Sequence, residues 1–263
     1  MSMNATVLIT GANGRIGSLL MCGLADLGWS TQGCDIAAGT NVVAADITDL
    51  AALSLAARGC RSIIHLAATP NAKPGWETVN RLNIHGTRTV LEAARREGVA
   101  QVIFASSIHT VGALPAHTSL GPDLPPAPSG IYGASKLAGE ALMQVYALKG
   151  QLSCISVRLC SFRPAPEDAR ELKTWLGHQD AIHLFDRCLH EPALGYQMIW
   201  GVSNNKRLSI YDPIADLIGY RPSQDAEGFL PSLAHQDRLN ATSRPWTMLG
   251  GPVAEDPDVD FGD

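Results

Sequence analysis

At 263 residues and 46% hydrophobic composition, the chain can bury a substantial core, as one large α/β domain or as one domain with a small appendage. Its formal charge of -5 comes without any block of lysine or arginine, which excludes nucleic acid or an anionic membrane surface as the main partner. The opening "MSMNATVLIT" has neither a basic segment nor a long apolar core, and no apolar run reaches the roughly 18 residues of a membrane span, so the protein reads as cytoplasmic.

The first predicted element is the strand "TVLIT", which runs straight into "GANGRIG" and then into "IGSLLMCGLADLG", whose apolar residues recur at helical spacing. Gly11, Gly14 and Gly17 thus stand between a strand and a helix. Glycines there permit a tight turn and close approach of the backbone to a pyrophosphate, which the free N–H groups of the helix N-terminus stabilise. The next strand, "STQGCD", ends on Asp35, 18 residues after Gly17. A carboxylate at that place accepts hydrogen bonds from both ribose hydroxyls and repels a 2′-phosphate, so the pattern favours NAD over NADP. A third strand, "NVVAAD", ends on Asp46, placed equally to reach an adenine edge or to cap the following helix, "LAALSLAARG".

Further along, "SIIHLAA", "QVIFASS" and "CISVRL" read as strands, separated by the helical patterns "VNRLNIHGTRTVLEAARREG" and "YGASKLAGEALMQVYALKG". This alternation predicts βαβ units, a parallel sheet covered on both faces, and a doubly wound Rossmann-type α/β fold with its ligand at the carboxyl ends of the strands. The segment 112–130 is dense in proline and glycine and reads as a long loop, of the kind that often forms a wall of a site. Past residue 160, "ELKTWLG", "AIHLFDRCLH" and "PIADLIGY" look helical and "YQMIWGV" looks like a strand. That is too little chain for a second core, so residues 1–160 are expected to form the nucleotide-binding core. Residues 161–263 then form a small substrate cap, compact with that core, ending in a docked or frayed tail over 250–263. The six cysteines, Cys22, Cys34, Cys60, Cys154, Cys160 and Cys188, contain no CxxC pair and read as reduced, mostly buried thiols, with no metal site or disulfide frame.

The chemistry is expected on "IYGASKLAGE", where a helix would put Tyr132 and Lys136 on one face, a turn apart. A phenol with an ordinary pKa near 10 is a poor base at neutral pH, and a fixed ammonium beside it favours the phenolate. By itself such a pair also fits a solvated surface helix. Ser106 and Ser107 add a hydroxyl donor at the same carboxyl edge as the glycine loop.

The glycine loop, "HLAA" at 65–68, "NIHGT" at 83–87, "SSIHTVG" and the YxxxK pair together resemble the extended short-chain dehydrogenase/reductases, over nearly all of the first 160 residues. The resemblance implies that Tyr132 exchanges the hydroxyl proton of the substrate, that Ser107 rather than Ser106 polarises its oxygen, and that Lys136 binds the nicotinamide ribose and acidifies Tyr132. It implies that Asn83 holds a proton-relay water. The cofactor contacts it implies are Gly11, Asn13, Gly14, Arg15, Ile16, Gly17, Asp35, Asp46, Ile47, Leu66, Ala67, Ala68, Tyr132 and Lys136. Homo-oligomerisation through the helices at 76–98 and 132–149 is a further family expectation.

Within that family, "SSIHTVG", "LGPDLPPAPSGIYGASK", "RLCSFRPAPEDARELKTWLGHQD", "IWGVS" and "IGYRPSQDAEGF" look most like the bacterial uronate dehydrogenases, which oxidise the anomeric hydroxyl of a hexuronic acid to a lactone with hydride transfer to NAD. That likeness implies substrate contacts from Ser107, His109, Tyr132, Ser161 and Arg170. Arg170 also follows from charge, since an acidic protein that binds a carboxylate needs a local cation able to clamp it bidentately. The opposing readings are an Arg170 spent on Glu167, Asp168 and Glu171, and a His109 bonded in the core. Two departures make the pocket less polar: Ile108 stands where those enzymes have an asparagine, and "LAATP" replaces a glycine-rich, serine-containing stretch. The other substrates to weigh are a less polar acid or alcohol and a nucleotide-sugar substrate of an epimerase or dehydratase. The epimerase reading is weakened by the short chain after residue 160. A non-catalytic redox-sensing module is weakened by the intact Ser107, Tyr132 and Lys136.

Overall fold

A computed structural model describes residues 6–70, 75–150, 152–190, 195–233 and 246–255. The first strands are β1 (Thr6–Thr10), β2 (Ser30–Asp35), β3 (Val42–Ala44), β4 (Ser62–His65), β5 (Gln101–Ser107) and β6 (Ser153–Leu159). Two short strands, β7 (Ser161–Phe162) and β8 (Trp175–Leu176), pair with each other, and β9 (Tyr196–Gly201) then returns beside β6. The main sheet has the order β3-β2-β1-β4-β5-β6-β9, and every pairing in it is parallel. This is the doubly wound Rossmann-type fold, with its switch of direction between β1 and β4.

Alternation along each strand builds the two layers. Val7, Ile9, Ile64 and Ile103 face the layer that contains Leu20 and Leu24 of α1 (Arg15–Asp26) with Leu184 and Phe185 of α7 (His178–His190). Leu8, Ile63, Val102 and Phe104 face the opposite layer, with Leu53 of α2 (Leu50–Ala57), Leu91 of α4 (Gly86–Arg96) and Met143 of α5 (Ile131–Gly150). Each such side chain, fully buried, contributes about 1.5–3 kcal/mol. Because α7 and β9 join these layers, the chain beyond residue 160 shares the core of the sheet. Five of the six cysteines are buried, and Cys22 is exposed.

Several predicted boundaries move. "NVVAAD" yields a strand only over Val42–Ala44, and "SIIHLAA" stops at His65, where the chain leaves the sheet to meet the site. The helix expected at 79–98 begins earlier, as α3 (Gly75–Val79), and passes through a π-helical turn at Asn80–His85 before α4; there Gly86 N donates to the carbonyl of Arg81, five residues back. "ELKTWLG" gives only one helical turn, α6 (Glu171–Thr174), followed by β8. "PIADLIGY" is helical over α8 (Pro213–Ile218), capped by Asp212. The loop 112–130 is tied to distant segments by bridges from Pro115 to Met248 and from Leu120 to Ile210. The tail expectation is met in part by a docked Gly250–Glu255, and the rest of that stretch, 256–263, lies outside the described residues. No described helix is long and apolar enough to cross a membrane.

Candidate active site

The carboxyl ends of the central strands open onto a cleft of about 560 Å3. It is lined by Gly11, Gly14, Arg15, Ile16 and Gly17 of the first turn, by Leu66 and Ala68 after β4, and by Ser107, Ile108 and His109 at the end of β5. Tyr132 and Lys136 of α5 join them, with Ser161, Arg163, Arg170 and Glu171 from the chain beyond β6. Of the expected site residues, Asn13, Asp35, Asp46, Ile47, Ala67 and Asn83 stand outside this lining.

The first turn is as tight as its glycines allow. Gly11 has φ 71°, and a Cβ there would lie 2.8 Å from Ala67 N; a Cβ on Gly17 would lie 2.1 Å from Gly11 O. Asp35 secures the turn from the side: Oδ2 accepts from Asn13 N at 2.9 Å and Oδ1 from Ile36 N at 2.7 Å. Ala67 N donates to Thr10 Oγ1, tying the segment after β4 to the end of β1. Asp46 accepts from both N and Oγ1 of Thr48 and pairs with Arg81 at 3.4 Å, and the Thr48 N–H above all holds its carboxyl below the usual range. The cap of α2 belongs to Asp49 instead, which accepts from Ala51 N and Ala52 N. Ile47 is buried in the core beside Gly86.

Strand alternation separates the two serines. Ser106 donates at 2.6 Å to Glu140, whose carboxylate also receives Nε and Nη2 of Arg158 at 2.9 Å each; both partners of this ion pair are buried. Ser107 faces the cleft and is hydrogen-bonded to the Tyr132 hydroxyl, and its Oγ accepts from His109 N at 3.2 Å. Lys136 is buried, and its Nζ donates to Ala105 O at 2.9 Å and lies 5.6 Å from the centroid of the Tyr132 ring. Asn83, brought in by the π-helical turn, accepts from Thr69 N and donates to Thr69 O and Ser135 Oγ; Ser135 donates to Tyr132 O at 2.7 Å. Asn83 therefore braces the helix of Tyr132 from behind.

Burial governs the electrostatics. It pushes the Tyr132 phenol up to about 12, partly offset by the Ser107 hydrogen bond, and holds Lys136 down at about 7. Desolvation is the largest influence on the phenol, and the Lys136 ammonium donates to the Ala105 carbonyl and not to the phenol. Burial, and then Arg170, lower His109 to about 4, so its ring is neutral at physiological pH; Nδ1 meets Ser129 Oγ at 2.7 Å.

Arg170 is partly buried and densely held. Nη1 donates to Ser161 Oγ, Thr174 Oγ1 and Leu249 O at 3.3–3.4 Å, and Nη2 reaches Glu171 Oε1 at 3.3 Å. Its Nε has no hydrogen-bond acceptor among the described residues. Glu171 is buried between Arg170 and Arg163, the latter at 2.8 Å. Arg163 and Glu171 were not anticipated as lining residues; the one available signal was an arginine two positions after Ser161 at the end of a strand.

A dinucleotide fits this cleft on two observations: the glycine turn leaves its backbone bare, and Lys136, with three N–H donors, spends one on a described acceptor. A glycine turn at the switch point of a doubly wound sheet, with Ser107, Tyr132 and Lys136 at the same edge, defines the class of dinucleotide-dependent enzymes of Rossmann fold. The chain belongs to the NAD dependent epimerase/dehydratase family, whose model matches residues 7–171. It is 35% identical over 229 residues to the uronate dehydrogenase of Agrobacterium fabrum, covering 85% of this chain and 86% of that one. It is 34% identical over 255 residues to the NAD-dependent glucose-6-phosphate dehydrogenase of Haloferax volcanii, covering 86% and 96%. The crystal structure of uronate dehydrogenase from Agrobacterium tumefaciens matches with a TM-score of 0.89 at 30% identity, over 99% of this chain and 100% of that one.

Proposed function

We propose that the protein oxidises the anomeric hydroxyl of a hexuronic acid, glucuronate or galacturonate, to the aldarolactone, with NAD as hydride acceptor. The observation that carries this reading is Arg170, a guanidinium in the same cleft as Ser107, Tyr132 and Lys136. In this reading residues 1–160 hold the cofactor and the chain from 161 supplies the carboxylate contact.

Bound NAD supplies the electrophilic ring carbon that takes up the hydride. Ser107 Oγ, hydrogen-bonded to Tyr132, orients the substrate hydroxyl between the two residues. Tyr132 first passes its own proton to neutral Lys136; as the C–H bond then breaks and the hydride leaves, the phenolate oxygen takes the substrate hydroxyl proton and the substrate carbon becomes the lactone carbonyl. Lys136, held near 7, exchanges a proton readily at neutral pH and suits a relay from Tyr132. Asn83 keeps the backbone of that helix in place.

The charge at the far end disfavours a dianion. Arg163 and Arg170 stand against three carboxylates, Glu167, Asp168 and Glu171, so a phosphate dianion would be neutralised less well than a single carboxylate. Ile108 lines the cleft but is 4% exposed and packed with Val111, Cys160 and Trp200, so it takes an amide away without adding a broad apolar wall. NADH formation is therefore expected from both uronates and not from glucose 6-phosphate or neutral aldoses, and turnover of the phosphate alone would overturn the reading.

Two further outcomes are expected. Arg170→Lys retains charge but loses the planar fork, and should raise KM for the uronate about 30- to 100-fold, roughly 2–3 kcal/mol, with little change in kcat. The second concerns pH. Lys136, held at about 7, must be neutral to take the Tyr132 proton, so the oxidation rate should climb as pH rises through about 7. His109, held at about 4, adds no inflection of its own in that range. A rate that falls as pH rises through about 7 would contradict both assignments.

A further inference from the structure

Two lining residues, Arg170 and His109, are held by one distant stretch, Thr247–Gly251. This strap runs antiparallel to the start of the loop after β5: Ala116 N donates to Thr247 O at 2.7 Å, Leu249 N to Leu114 O at 2.9 Å, and Gly250 N to Gly112 O at 2.8 Å. Its Leu249 carbonyl accepts from Arg170 Nη1 at 3.3 Å, across 79 positions of sequence. Gly251, at φ 58°, backs onto the same guanidinium so closely that a Cβ would stand 2.7 Å from Nε. Gly250 leaves the matching space for Ser129, since a Cβ there would lie 2.8 Å from the Oγ that orients His109.

The strap therefore fixes where the guanidinium sits: Nη1 and Nη2 donate to protein acceptors, and Nε, buried against Gly251, faces Asp168 Oδ2 at 3.8 Å.

We propose that Thr247–Gly251 is a positioning element for substrate selection, which holds the Arg170 guanidinium and, through Ser129, the His109 ring in place at the cleft. This rests on the dehydrogenase reading above. Among the described residues no hydrogen bond joins the strap to Tyr132 or to the glycine turn, so it acts on substrate affinity and leaves the hydride step and the cofactor alone.

Gly251→Ala puts a methyl group against Arg170 Nε. It is expected to raise KM for glucuronate at least about tenfold, with kcat within about twofold and NAD affinity unchanged. Gly250→Ala, which presses on Ser129 and carries no left-handed φ, serves as the second variant if the first folds poorly. In the same proteins, without substrate, the rate of phenylglyoxal modification at Arg170, followed by mass spectrometry, should rise several-fold. A faster Arg170 modification with a wild type inactive on uronates would support the strap and remove the uronate reading. Unchanged KM with unchanged modification in a folded variant would overturn the strap proposal, as would a parallel loss of NAD affinity, which marks general loosening.

Discussion

Tyr132→Phe is expected to lower kcat about 1,000- to 10,000-fold, a loss of about 4–5.5 kcal/mol, while NAD binds as before. The ring is retained, so its edge-on contact with His109, centroids 5.8 Å apart, survives and the helix has no reason to move. Only the oxygen hydrogen-bonded to Ser107 is lost. Turnover and cofactor titration on one preparation check this. A loss below about tenfold would assign proton transfer to another group. Ser107→Ala should cost less, and the double variant should cost little more than Tyr132→Phe alone, because two groups acting on one proton are not additive.

Glu140→Ala is expected to destabilise the fold by about 3–5 kcal/mol, since it strands the Arg158 guanidinium in the interior without its counter-charge. The pair is bidentate, with side chains 8% and 6% exposed, and the guanidinium also lies 5.5 Å from the Trp200 ring. Denaturant unfolding of both proteins would measure the loss. Replacing Glu140 and Arg158 together by apolar residues of similar size should cost far less, because no buried charge is then left alone. Ser106, which also donates to Glu140, makes the pair a tie between the helix of Tyr132 and the strand of Ser107. Near-complete stability of the Glu140→Ala protein would show that water reaches Arg158.

The nucleotide end was legible in the sequence because its constraints are local. A short apolar strand, three glycines and an acid at a fixed interval lie within one βαβ unit, and the observed β1 and β2 end where those residues said they would. The choice of Ser107 over Ser106 came only from the family resemblance, yet the strand's two-residue period explains it: Ser106 turns to Glu140 and Ser107 to Tyr132. What stayed hidden was non-local. Nothing around Arg163 or Glu171 announces that they meet in the cleft, and nothing in "ELKTWLG" announces that its helix ends after one turn so that Trp175 and Leu176 can pair with Ser161 and Phe162. The fall of Lys136 and the rise of Tyr132 depend on burial, which no spacing reveals. The loop 112–130 was recognised as a loop, but its partner strand of backbone sits more than a hundred residues away.

The strap at Thr247–Gly251 also orders events in time. Chains emerge from the ribosome N-terminus first, and folding tends to follow emergence. The glycine turn, Ser107, Tyr132 and Lys136 are all synthesised before Arg170, and Arg170 before the carbonyl of Leu249 that holds it. Because α7 and β9, which complete the core behind the glycine turn, also follow Arg170 in the chain, the nucleotide cradle is not complete before Arg170 is made, and the strap that holds Arg170 comes last of all.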